Sequence, residues 1–175
     1  MRESFNQPDI RVTHFVERLA IMTSIDAWFE SEQVPLVLLG MGGAGKSQMA
    51  LEFGRKMLAR QACSPVIWIG ARSPIAVHQS LKNTVSELFD DDKVSDDVER
   101  SLSRIARELK QKKWLAIFDN FDDPEAFNEH RLSWYFPQEG RRHILVTSRY
   151  SGSVRLGKRL ELSTMTEGES LALLL

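Results

Sequence analysis

Cysteine is almost missing. Cys63 is the one thiol in 175 residues, which excludes an internal disulfide and fits a reducing compartment. No apolar run approaches the ~18 residues that a membrane-spanning helix needs, and the first residues lack the basic-then-apolar pattern of a secretory leader. Net charge is small as well. Lys and Arg number 23 against 24 Asp and Glu, so the domain has no overall basic footprint for DNA or RNA, although a local patch is compatible with this balance. The four histidines (His14, His78, His130, His143) show no i, i+4 pairing and no neighbouring cysteine, which argues against a zinc site. There is no G-x-S-x-G nucleophile turn, no partner for Cys63 and no N-K-x-D guanine-reading motif. What is present has ordinary globular composition, 42% hydrophobic and 27% charged, and is long enough for one domain burying ~20,000 Å². The expectation is a cytoplasmic domain with no membrane and no direct nucleic-acid partner.

Short apolar runs alternate with helical spacing along the chain. A tail over residues 1–13 leads to a helix opened by Thr13 or His14, with Phe15, Val16, Leu19, Met22, Ile25 and Phe29 on one face. Pro35–Leu39, Val66–Ile69, Trp114–Phe118 and His143–Thr147 read as buried strands, and Leu160–Leu162 as a short fifth. Between them, Met49, Ala50, Phe53, Met57 and Leu58 mark a second helix. Ser73-Pro74 supplies an N-cap and first-turn proline for a third, running to about Phe89. The acidic stretch Asp90–Asp97 reads as a loop whose last carboxylates favour the next helix, where Val98, Leu102, Ile105, Ala106 and Leu109 share a face. The Lys110–Lys113 run reads as that helix's C-terminus, and the four tryptophans as core. Thr166 and Glu169 form a capping box for a helix still running at Leu175, which predicts that the chain is a piece of something longer. Strands alternating with helices predict an α/β fold with a mostly parallel sheet and right-handed crossovers.

Four of the ten glycines fall within six positions, and Gly40-Met41-Gly42-Gly43-Ala44-Gly45-Lys46-Ser47 fits G-x-x-x-x-G-K-[ST] at every fixed position. Several backbone N–H groups must hold one phosphate together, and a Cβ on such a loop would block the approach. Glycine also reaches the positive φ that a tight anion nest requires. The following helix adds unpaired N–H groups and a positive dipole end. Lys46 supplies a full charge for the outer phosphates, and the Ser47 hydroxyl can ligate Mg²⁺. The motif lies between an apolar strand and an amphipathic helix, the context that this chemistry needs.

Two further elements sit at strand ends. Leu115–Asp119 is an apolar strand closed by a carboxylate, the form of a Walker B element that can hold Mg²⁺ directly or through water. Asp119 could otherwise simply begin the loop 119–124, in which Asp122 and Asp123 read as turn residues. Ile144–Arg149 is a strand ending in Thr147, Ser148 and Arg149. Arg149 could hydrogen-bond a γ-phosphate and so distinguish triphosphate from diphosphate, the alternative being a solvated loop arginine.

These elements in this order, preceded by Phe15-Val16-Glu17-Arg18, resemble the NB-ARC domain of the STAND class of P-loop NTPases, which includes plant disease-resistance proteins and apoptosome scaffolds. The resemblance spans about Phe15 to Leu175. It implies a three-layer P-loop NTPase fold over residues 14–175, with a five-stranded sheet of order 5-1-4-3-2 and helices on both faces. It also implies a switch, ADP-bound when closed and ATP-bound when oligomeric, in a signalling or innate-immunity protein with effector or sensor domains. Gly42, Gly43, Ala44, Gly45, Lys46, Ser47 and Gln48 match the phosphate and ribose-side contacts. Ser47 and Asp119 match the magnesium positions, and Arg149 the sensor arginine. Phe15, Val16 and Arg18 resemble the adenine-contacting segment, with Glu17 where family members usually carry Gly. After Leu175 the family continues into helical and winged-helix domains, so weaker nucleotide affinity than in a full-length relative is expected of this chain.

The function expected is therefore an ADP/ATP switch with slow, Mg²⁺-dependent hydrolysis carried by Lys46, Asp119, Asn120 and Arg149. Asn120 follows the Walker B aspartate, where an acid usually serves as base. Its amide can position a water but cannot take the proton. The alternatives are a small-molecule P-loop kinase using Asp122 or Asp123 on an acceptor hydroxyl, or an interaction module without hydrolysis.

Overall fold

The computed structural model describes residues 18–89, 96–127 and 131–164. Within them the elements run α1 (Leu19–Ser31), β1 (Leu36–Leu39), α2 (Lys46–Ala59), β2 (Val66–Gly70), α3 (Pro74–Phe89), α4 (Val98–Leu109), β3 (Lys113–Asp119), β4 (Arg141–Ser148) and β5 (Lys158–Glu161). Short 3-10 turns occupy Pro124–Ala126, Leu132–Tyr135 and Ser151–Leu156. The strands form one sheet in the order β2-β3-β4-β1-β5, and every neighbouring pair is parallel. Read from its other edge, this is the order 5-1-4-3-2 that the resemblance implies.

Side-chain alternation along the strands explains the layers. Leu36 and Leu38 of β1, Leu115 and Ile117 of β3, and Leu145 of β4 pack on one face with Trp28 and Phe29 of α1 and Phe53 and Met57 of α2. Val37, Ala116, Phe118, Ile144 and Val146 point to the opposite face, against Val77 and Leu81 of α3 and Ile105 and Leu109 of α4. Strands buried on both faces read as continuous apolar runs, which is how β1 to β4 appear in the sequence.

The differences from expectation have local causes. Pro35 lies outside β1, since it has no N–H to give the sheet, yet its carbonyl accepts Lys158 N at 2.8 Å. β5 starts two residues earlier than Leu160 because it is a polar edge strand, exposed at Lys158, Arg159 and Glu161, and carries no apolar run. The Lys110–Lys113 run divides: Lys110 ends α4, whereas Lys113 opens β3 and places its ammonium 4.1 Å from the Phe29 ring centroid. Trp134 is 36% exposed, unlike the other three tryptophans, because it sits in a surface 3-10 turn. Ser73 and Asp97 act as N-caps, accepting Ala76 N at 3.3 Å and Arg100 N at 3.2 Å. The helix opening at Thr13 or His14, the segment 90–95 and the Thr166–Glu169 box lie outside the described residues.

Parallel strands carry their carboxyl ends to one edge. The ends of β1, β3 and β4 therefore bring Gly40, Asp119 and Ser148 together, and a crevice outside such ends is where α/β sheets bind ligands.

Candidate functional site

The glycine loop leaves β1 under close constraint. Gly40 N donates to Ser148 O at 3.2 Å, and a Cβ on Gly40 would stand 2.5 Å from the Leu162 carbonyl oxygen beyond β5. Past this anchor the loop opens. Gly43 and Gly45 take φ of +78° and +84°, and a Cβ at either would meet nothing within 4 Å. These two glycines are needed for their backbone conformation and for the empty space above them, not for packing. Gly45 ends the loop as N-cap of α2 and supplies no side-chain cap, so the orphan N–H groups of the first turn have no such acceptor.

Lys46 is folded back onto this loop. Its Nζ donates to Gly40 O at 2.8 Å and Met41 O at 2.7 Å, and the residue is only 7% exposed. Burial lowers its pKa. Asp122 opposes that shift, Arg149 adds to it, and Asp119 opposes it again. Gln48 lines the same cleft; its Nε2 donates to Glu52 at 2.9 Å, while its Oε1 is buried without a hydrogen-bond partner.

The opposite wall is assembled from two strand ends. β3 and β4 pair through Phe118 and Val146, which sets Asp119 beside Thr147. The buried Thr147 Oγ1 donates to Asp119 Oδ1 at 2.6 Å and accepts from Asn120 N at 2.9 Å, so both capacities of one hydroxyl are used. Asn120 turns with φ +65°, a left-handed conformation that asparagine tolerates, and the residue lines the cleft. Phe121 N then donates to Thr147 O at 2.9 Å, and the Ser148 hydroxyl donates to Phe121 O. Asp122 faces Arg149: its two oxygens accept Arg149 N at 2.6 Å and Arg149 Nε at 2.7 Å. Asp123 is the turn residue it resembles in sequence, its Oδ1 accepting Glu125 N and Ala126 N.

Between the walls lies a cleft of about 720 Å³, within the usual size of small-molecule sites. It brings together Gly42, Gly43, Gly45, Lys46, Ser47, Gln48, Asn120 and Arg149 of the expected residues, and adds Arg72, Asp122 and Asp123. Asp119 is 7% exposed and does not line the cleft. Ala44 does not line it; it is 5% exposed and packs with the core on the α1/α2 face of the sheet. Arg18 is elsewhere. It is 8% exposed, with Nη1 donating to Ser163 O at 2.8 Å and Nη2 to Ser163 Oγ at 3.2 Å, which ties the start of α1 to the segment after β5. Phe15 and Val16 lie outside the described residues. Cys63 is buried and its thiol is pushed up to about 12, which leaves it chemically inert.

Residues 20–174 match the family model of the NB-ARC domain. The chain belongs to the NB-ARC family. No curated protein matches it significantly. Among solved structures, this NB-ARC chain is similar to a Walker-type ATPase of Pyrococcus abyssi at 14% identity and a TM-score of 0.59, covering 97% of this chain and 60% of that one. It is also similar to Drosophila ORC in a structure bound to DNA, at 14% identity and a TM-score of 0.60, covering 95% of this chain and 48% of that one. Likenesses at this identity establish the fold alone, and the chain spans under two thirds of either structure; membership of the NB-ARC family makes it a P-loop nucleotide-binding domain. Among the described residues, no helix is long and apolar enough to cross a membrane.

The open cradle and the uncapped helix start fit a phosphate. For Mg²⁺, no three His, Cys, Asp or Glu side chains cluster among the described residues. Mg²⁺ would be held by the Ser47 hydroxyl and, through water, by Asp119, with phosphate oxygens supplying further contacts. The sequence does not mark Thr147 as the wall's centre or Arg72 as a lining residue, and it offers Asp122 as a turn residue or an acceptor base and not as the partner of Arg149. Their spacing from Asp119 and Arg149 carries no local motif.

Proposed function

We propose that this chain is the ADP/ATP-binding switch domain of a STAND-type signalling or innate-immunity protein, acting in the cytoplasm and hydrolysing ATP slowly with Mg²⁺. One observation carries the proposal: a glycine cradle with open space above Gly43 and Gly45 lines one cleft together with Lys46 and Arg149. The N–H groups of residues 43–48 would surround the β-phosphate, and Lys46 would turn from the Gly40 and Met41 carbonyls toward the outer phosphates. The unpartnered Gln48 Oε1 suits a ribose hydroxyl. Bound Mg²⁺ would neutralise phosphate charge and orient the terminal group.

Arg149 across the cleft would read the γ-phosphate. Asn120 lines the cleft, where its amide could orient a water but has no basic oxygen to take the proton. Slow turnover follows, below the ~1 s⁻¹ low end for fast phosphotransferases. The kinase alternative is weaker on this geometry, because Asp122 spends both oxygens on Arg149 and Asp123 caps a turn. In the larger protein we expect self-oligomerisation driven by ATP, coupled to effector or sensor domains, with residues 14–175 as the nucleotide-binding unit and Phe15 and Val16 on its adenine side.

Calorimetric titration with ADP and ATP, with and without Mg²⁺, tests the proposal. Lys46→Ala should weaken both nucleotides by about 10- to 100-fold, the loss of a charge-assisted hydrogen bond. Arg149→Ala should act mainly on ATP. If the unaltered chain takes up neither nucleotide at ~1 mM, a weak affinity by any standard, the switch reading is wrong.

A further inference from the structure

We propose that Asp122 is a positioning residue that presents Arg149 to the terminal phosphate and thereby sets the preference for triphosphate over diphosphate. The inference rests on the nucleotide-binding reading above and deepens it. Arg149 is 60% exposed at its side chain, whereas Asp122 is only 19% exposed. A long, exposed arginine samples many rotamers and would lose that freedom on meeting a phosphate. Here the freedom is already restricted. Asp122 fixes the backbone N and the side-chain Nε of the same residue, so the first and last parts of the chain are both tied to one carboxylate.

What remains is a directed pair of donors. With Nε engaged, Nη1 and Nη2 make no hydrogen bond within the described residues, and a Cβ placed on Gly42 would meet Arg149 Nη1 at 3.8 Å. The guanidinium edge therefore lies beside the phosphate loop. A γ-phosphate extending from that loop would meet the two η-nitrogens, whereas a diphosphate ends short of them. Asp122 also holds its own loop in place, since its N donates to Asn120 O at 3.0 Å. Moving Arg149 therefore pulls on the turn that presents Asn120.

Two effects of Asp122 have opposite signs, and this makes the proposal testable. As a bare negative charge lining the cleft, it repels phosphate, so its removal alone would tighten both nucleotides, and ATP more than ADP. As the clamp on Arg149, its removal weakens ATP selectively. We expect Asp122→Ala to weaken ATP about tenfold in calorimetry while ADP changes less than about threefold. Asp122→Asn keeps an acceptor for Arg149 N but presents an amide N–H to Nε, and we expect about a threefold loss on ATP. It carries the test if the alanine variant fails to fold, which circular dichroism shows. In an Arg149→Ala background, Asp122→Ala should cause no further selective loss. Tighter ATP binding, equal losses on both nucleotides, or an undiminished selective loss without Arg149 would each overturn the proposal. If Arg149→Ala is selective for ATP and Asp122→Ala is not, this inference alone falls. If the unaltered chain binds neither nucleotide, both fall.

Discussion

One wall of the cleft comes from consecutive residues, Gly40 to Ser47, and the other from the ends of β3 and β4, joined by hydrogen bonds that span 27 and 28 positions of sequence. The first wall holds its shape through local backbone geometry: positive φ at two glycines and a helix start. The second holds its shape through side chains that satisfy one another, with Thr147 at the centre. A wall made from backbone conformation can lose a side chain at little cost. A wall made from side-chain pairs cannot, least of all at the buried Thr147–Asp119 pair, where a deletion strands a carboxylate away from water.

The largest test of this contrast is Thr147→Val. It keeps the shape but removes the hydroxyl, leaving Asp119 Oδ1 and Asn120 N without their partner. Two orphaned groups, one of them a carboxylate, should cost about 4 kcal/mol in urea unfolding. Thr147→Ser, which keeps the hydroxyl, should lose about 1 kcal/mol. If valine and serine are equivalent, the second wall does not depend on that network.

The strand that supplies this wall also carries an acid-sensitive residue. His143 of β4 is 1% exposed, its ring centroid 4.1 Å from that of Phe29 and 5.5 Å from that of Trp28. Burial, aided by nearby Lys113, pushes its pKa from 6.5 to about 4; the Phe29 and Trp114 backbone and Glu30 pull weakly the other way. Neither ring nitrogen has a partner in hydrogen-bond geometry. Between these two values the unfolded chain binds more protons, so stability rises with pH across the window and is lost as pH falls through it. The loss between pH 7 and pH 4 should approach about 3 kcal/mol and level off below. His143→Phe should remove this component, read as the difference between the two proteins' stability profiles. Parallel profiles would mean that the ring does not titrate in this way.

Gly40→Ala probes the one place where the contiguous wall relies on a distant residue. Its Cβ would press on the Leu162 carbonyl, and displacing that backbone should cost about 2 kcal/mol in the same unfolding assay. Gly43→Ala meets open space and pays only for its left-handed backbone, about 1 kcal/mol. Equal losses at these two positions would show that the contact with Leu162 yields easily.

The same contrast explains what was legible in the sequence. The phosphate loop, its flanking strand and helix, and the alternation behind the parallel sheet are encoded in neighbouring residues, down to Ser73 as a cap; Asp97, legible only as a carboxylate favouring the next helix, also caps it. Asp119 and Arg149 were visible because each closes an apolar run. The roles of Thr147 and Arg72, and the pairing of Asp122 with Arg149, have no sequence signal, since they arise only when β2, β3 and β4 lie side by side. β5 was misplaced because its exposed lysine and arginine pair with β1 without any apolar pattern.

The most direct measurement is a crystal structure of the chain with ADP and Mg²⁺. The account predicts a β-phosphate within ~3.2 Å of backbone nitrogens from Gly43 to Ser47, with Lys46 Nζ turned onto it from the loop carbonyls. A nucleotide seated away from this loop, or a Lys46 still bonded to both Gly40 O and Met41 O with the phosphate present, would contradict it.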